Sequence, residues 1–67
     1  MAVRVQWRRL RAGSGPGDTT VDGRFEVWHS PDGTWAVWPG VRGPRAVPVF
    51  TAPTLRQCRR WVEEQYA

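Results

Sequence analysis

Apolar and polar residues alternate along much of this chain, and each change of period marks a new element. In VRVQWRRLR, residues 3–11, Val3, Val5 and Trp7 fall on one side and Arg4, Gln6 and Arg8 on the other. That period of two predicts a half-buried strand. Residues 24–29 and 34–38 are rich in Phe, Val and Trp, with Ser30, Pro31, Asp32 and Gly33 between them. Proline presets φ at the first corner of a type I turn, and Gly33 accepts the positive φ that closes a three-residue hairpin loop with a bulge. If Ser30 faces Thr34, then Val27 faces Val37, Trp28 faces Ala36 and Glu26 faces Trp38. Alternation then sorts Phe25, Val27, His29, Trp35 and Val37 onto one face and Arg24, Glu26, Trp28 and Trp38 onto the other.

Beyond a Pro/Gly-rich connection at 39–45, AVPVF at 46–50 alternates Val47 and Val49 against Ala46, Pro48 and Phe50. Because Pro48 cannot donate to a ladder, this strand is expected at a sheet edge. The period then lengthens. Leu55, Cys58, Trp61, Val62 and Tyr66 recur at helical spacing and form one apolar stripe. Thr54 with Gln57 three residues on makes a capping box, and Pro53 ends the preceding strand. By contrast, AGSGPGDTTVDG at 12–23 holds four Gly and one Pro and lacks apolar surface to offset the cost of ordering, so it reads as a flexible loop. The sum is a single domain over residues 1–67 of α+β class. It is an antiparallel sheet of three to four strands with one C-terminal helix packed on one face, in the order β-β-β-β-α.

Composition narrows the chemistry. A chain of 67 residues buries only about 60% of the surface its unfolded form exposes, and small scaffolds usually add disulfides, a metal or a partner. Cys58 and His29 are each the sole residue of their type, so no intrachain disulfide and no zinc site is expected. The core must therefore be aromatic or shared, and five Trp are available. Cys58 lies on the apolar stripe and behaves as a small hydrophobe; His29 beside the turn reads as a surface residue. No carboxylate pair, no nucleophile with a base and no Gly-rich phosphate cradle opens a helix, so neither an enzyme nor a cofactor is expected.

The net charge is +4 and all ten basic residues are Arg, whereas Lys, Ile and Asn are absent. Those three have A/T-rich codons, so the bias reflects a high-GC genome before it reflects any choice of guanidinium chemistry. A basic surface nonetheless attracts polyanions. No apolar run approaches the ~20 residues of a transmembrane helix, and no signal-peptide core is seen at the N-terminus. A cytoplasmic protein of a bacterial host, with no membrane contact, is the expectation.

The stretch DGRFEVWHSPDGTWAVWPG followed by VFTAPTLRQCRRWVEEQ resembles a pattern in small actinobacterial and actinophage proteins of unknown function. In that pattern a DGR-type strand, a hairpin ending in an exposed Trp and a TLxxARRWV-like helix follow one another. The same order of three strands and a helix beginning Thr-Leu is also similar to the AP2-like, integrase N-terminal type of DNA-binding domain. Such domains lay the sheet face opposite the helix into the major groove. That second resemblance implies DNA contacts from Arg24, Trp28, Trp38 and Arg42, although Glu26 sits amid the face and Pro48 stands where a basic residue would.

Two constellations follow. Trp28 and Trp38 form either an exposed aromatic platform for a partner or a surface covered by Trp7, by the 39–45 loop or by a second subunit; a homodimer would satisfy both. Arg56, Arg59 and Arg60 either meet phosphate or acidic protein or form a solvated helix face with Arg59 paired to Glu63 and Arg60 to Glu64. The expected function is a small non-catalytic binding module, a phage-type accessory protein that takes a host protein on its aromatic sheet face. The alternatives are a nucleic-acid-binding module and, more weakly, a structural homo-oligomer.

Overall fold

The computed structural model describes residues 5–12, 15–41, 43 and 45–66. Five strands and one helix follow in the order β1 (Trp7–Ala12), β2 (Gly15–Thr20), β3 (Phe25–His29), β4 (Trp35–Pro39), β5 (Phe50–Ala52) and α1 (Leu55–Gln65). The strands make one antiparallel sheet whose spatial order is their chain order. The class is α+β, and the strand count is five instead of three to four.

The central hairpin has the register that its turn chemistry requires. Val27 pairs with Val37, Trp28 with Ala36 and Glu26 with Trp38. Ser30 N–H donates to Thr34 O at 2.8 Å and Gly33 N–H to Ser30 O at 3.0 Å. Gly33 holds φ 92°, a backbone state that side-chain-bearing residues rarely adopt. Asp32 accepts from the Thr34 N–H at 3.0 Å and hydroxyl at 2.6 Å, fixing the bulge.

Helix α1 begins as its cap signal predicts. Thr54 is extended at φ −130°, ψ 151°, and its hydroxyl oxygen accepts from Gln57 N–H at 3.2 Å while the hydroxyl donates to Gln57 Oε1 at 3.0 Å. The predicted stripe faces the sheet across β3, β4 and β5. Val27, Val37, Cys58 and Val62 are fully buried, and Ala52 nearly so. Trp7, Phe25, Trp35, Phe50, Leu55, Trp61 and Tyr66 close around them. Trp61 stacks on Phe50 at 5.1 Å between centroids and meets the edge of Phe25 at 6.0 Å. Aromatic rings thus supply the volume that so short a chain lacks in aliphatics.

Two segments depart from the sequence reading. The 12–23 stretch, expected as a flexible loop, contains β2, which pairs with β1 from Trp7↔Thr20 to Ala12↔Gly15 and with β3 from Gly17↔Trp28 to Thr19↔Glu26. Its order comes from its neighbours and not from apolar burial. Thr20, 2% exposed, accepts from Phe25 N–H through its hydroxyl at 3.1 Å, Asp18 pairs with Arg59, and Gly17 is covered by the Trp28 ring. The last strand, expected over 46–50, lies instead at Phe50–Ala52. Pro48 has no N–H to give, so the ladder to β4 opens only with Val49 N–H to Val37 O at 2.8 Å, and Val47 and Val49 stay exposed. The edge position is as expected. At the other end, β1 begins at Trp7, not at residue 3. Residues 3 and 4 lie outside the described residues.

Candidate functional site

Strand registers lay out the face opposite α1 residue by residue. Running across the strands, one row reads Arg8, Thr19, Glu26 and Trp38, and the next reads Leu10, Gly17, Trp28, Ala36 and Thr51. The first row is polar and charged up to its terminal indole. The second is an apolar strip, and Trp28 dominates it.

Trp28 is half-buried, and its ring is seated on β2. A Cβ built on Gly17 would stand 2.4 Å from Cε3 and 2.7 Å from Cδ2 of the indole, so the ring rests on the glycine backbone. Its Nε1 donates to Glu26 Oε1 at 2.8 Å, which satisfies the polar edge and explains a carboxylate in an aromatic face. Ala36 is 2% exposed on this same face. Its large neighbours there are Trp28 directly opposite and Trp38 two residues along. The Trp28 indole thus lies low over the sheet, and Trp38 is half-buried like its neighbour.

The other predicted residues do not join this face. Trp7, considered as a cover for Trp28 and Trp38, packs against the core on the helix side. Strict alternation places Arg24 with Trp28, yet its guanidinium lies 4.8 Å above the Tyr66 ring and 5.7 Å from that of Phe25. It precedes the first ladder pair and follows Gly23 at φ 77°, so strand periodicity does not reach it. Arg42 lies outside the described residues. Arg56, Arg59 and Arg60 belong to the opposite layer. Arg56 and Arg60 are exposed on an open groove that Leu55, Gln57, Arg59 and Glu63 also line. Arg59 turns under the helix, with its guanidinium carbon 5.3 Å from the Trp7 ring centroid and Nη2 on Asp18. The ion pair expected with Glu63 along the helix gives way to a tertiary one, because Asp18 is only 6% exposed and needs a cation more. The basic residues of β1 divide as well: Arg8 lies in the aromatic face, and Arg9 is across from Asp18 on the helix side.

Two tertiary polar ties went unread in the sequence. Asp18 and Arg59 are 41 positions apart, and Asp22 and Tyr66 are 44 apart. Asp22 accepts from the Thr20 hydroxyl at 2.7 Å, Arg24 N–H at 3.0 Å and the Tyr66 hydroxyl at 2.8–2.9 Å. The Thr20 hydroxyl and the Arg24 amide lower its carboxyl below the ordinary aspartate range. Burial raises the Tyr66 phenol, and the Asp22 carboxylate adds to that rise. Burial likewise pushes the Cys58 thiol up, the opposite of what a reactive cysteine needs. His29 packs on Trp35 at 4.9 Å between centroids.

Among the described residues, no group of three His, Cys, Asp or Glu side chains converges as a metal site would require. Among the same described residues, no helix is long and apolar enough to cross a membrane. Comparisons with protein-family models, with curated proteins and with solved structures return no match.

Proposed function

We propose that the chain is a non-catalytic binding module, a phage-type accessory protein that docks a host protein on the sheet face opposite α1 in the cytoplasm of a high-GC bacterium. The observation that carries this reading is the strip of Leu10, Gly17, Trp28 and Ala36 beside Trp38, set on the face that α1 leaves alone. An indole already seated on the sheet, as Trp28 is on Gly17, loses little conformational freedom on binding, the property that makes Trp a frequent interface anchor. Arg8 and Glu26 in the adjoining row supply charge of both signs at its border.

Duplex DNA is the weaker reading. The AP2-like resemblance needs Arg24 beside Trp28, and that guanidinium is engaged at Tyr66. The carboxylate of Glu26 also sits within the face, where phosphates would be repelled. Homo-oligomerisation through the same face stays as a third reading.

The test is capture of host protein from a high-GC lysate by the wild type and by Trp38→Ala. Trp38 is the informative position, because Trp28 also covers Gly17 and its removal would disturb the sheet. Loss of capture by about tenfold or more, the scale of an interface anchor, with a melting temperature moved by only a few degrees, is the expected result. Unchanged capture overturns the proposal. Binding to duplex DNA that weakens steeply between ~50 and ~200 mM salt would establish the alternative, and a concentration-dependent melting temperature would establish the oligomer.

A further inference from the structure

We propose that the outer edge of β1 receives an extended acidic peptide, added as a sixth strand antiparallel to β1. The inference concerns the edge of the sheet and stands independently of the aromatic face.

Strand β1 ends the sheet on one side, and β2 is its strand neighbour among the described residues. It is laddered to β2 over six consecutive pairs, twice the length of the three-residue edge strand β5. In an antiparallel ladder alternate residues direct both N–H and C=O toward the neighbour, and the residues between direct theirs outward. A regular strand of six residues thus carries a row of outward groups already in the geometry an added strand needs. The helix packs on β3, β4 and β5, so its body does not overhang this edge.

Charge selects the occupant. The sequence of β1 is Trp7-Arg8-Arg9-Leu10-Arg11-Ala12. Arg8 and Arg9 are exposed and point to opposite faces. The nearest carboxylates are already engaged, Asp18 by Arg59 and Glu26 by the Trp28 indole. A second copy of this chain, paired through the same edge, would bring arginines against arginines, and like charges across strands are destabilising. An acidic strand reverses that sign at Arg8 and Arg9. Read antiparallel from Ala12 to Trp7, the complement is a small or polar residue, an acid, an apolar residue, two acids and an apolar residue. Its first apolar side chain would extend the strip of Leu10, Gly17 and Trp28 by one strand.

The probe is a fluorescent, end-capped peptide Thr-Glu-Val-Glu-Glu-Val, titrated with the full chain by anisotropy. Two further versions carry N-methyl groups on alternate amides, one for each edge of the peptide. Strand addition predicts saturable binding that one N-methylated version loses and the other keeps. Arg8→Glu combined with Arg9→Glu should weaken binding about tenfold or more, since two cross-strand attractions become repulsions. Arg45→Glu, an exposed arginine elsewhere, should change it by less than about twofold. Amide shifts on binding should centre on residues 7–12. Equal binding of both N-methylated peptides would mean attraction without strand pairing and would overturn the proposal. So would shifts centred on Trp28 and Trp38, absence of binding at low salt, or a peptide-free dimer with β1 amides already protected.

Discussion

The Trp28 indole lies directly on the backbone of Gly17, with no room between them for a methyl group. One residue's size thus depends on another's ring, and a glycine inside a strand acquires a packing reason. Gly17→Ala should push the indole off the sheet and lower stability by ~1–3 kcal/mol, the usual cost of overpacking. Urea denaturation checks the size of the loss. The Trp28 share of the emission, taken as the difference between each protein and its Trp28→Phe counterpart, should move to the red in the folded variant, and a variant as stable as the wild type with that share unchanged would show that the ring is not seated on Gly17.

The pair of Asp18 and Arg59 ties β2 to α1. Asp18 is the buried partner, its side chain 8% exposed against 39% for Arg59, and the Nε of Arg59 is buried without a hydrogen-bond partner among the described residues. Removing either charge strands the other. Arg59→Met, which keeps the stem over Trp7, and Asp18→Ala should each cost ~1–3 kcal/mol, below the loss for a fully buried pair because solvent screens Arg59. The double variant should lose less than the sum, and strict additivity in that cycle would show that the two charges do not act on each other.

Acid should weaken the fold through Asp22 and Asp32. Hydrogen bonds lower both carboxyls, from Thr20 first at Asp22 and from the Thr34 hydroxyl first at Asp32. A carboxyl whose folded pKa lies below its unfolded value stabilises the fold above the unfolded value, about 3.9 for aspartate. That contribution fades as pH falls through the lowered folded value. Stability measured in urea between pH 6 and pH 2 should therefore drop in the acid limb. Asp22→Asn combined with Asp32→Asn should flatten that limb, and a limb of unchanged steepness would place the acid sensitivity elsewhere.

Cys58 is fully buried and its thiol is raised by burial. A disulfide reagent at neutral pH should label it only through opening of the helix, at least about a hundredfold slower than a free thiol if the core supplies ~3–5 kcal/mol. Labelling should accelerate with urea. A rate near that of the unfolded chain in the absence of urea would mean that α1 is not seated on the sheet.

What was readable in the chain was what repeats locally. The Ser30 to Gly33 turn and the Thr54 cap each rest on residues within four positions of one another, and the structure has both. From the turn alone follows the separation of Trp35 from Trp28 and Trp38, since a single loop length sets the register of every pair beyond it. Strand β2 was illegible because a Gly/Pro-rich segment carries no apolar period, and β5 moved because Pro48 silences the donor in the middle of an otherwise alternating run.

The sequence by itself determined the hairpin register, the helix with its buried stripe, and the α+β class, because these depend on backbone chemistry and periodicity over a few residues. The tertiary structure alone decided that residues 15–20 are a strand, that Arg59 serves Asp18, that Arg24 leaves the aromatic face for Tyr66, and that the Trp28 indole lies on Gly17. Each of those depends on groups brought together from distant parts of the chain. A buried carboxylate takes whichever cation the fold delivers, and a glycine backbone takes whichever ring the neighbouring strand holds above it.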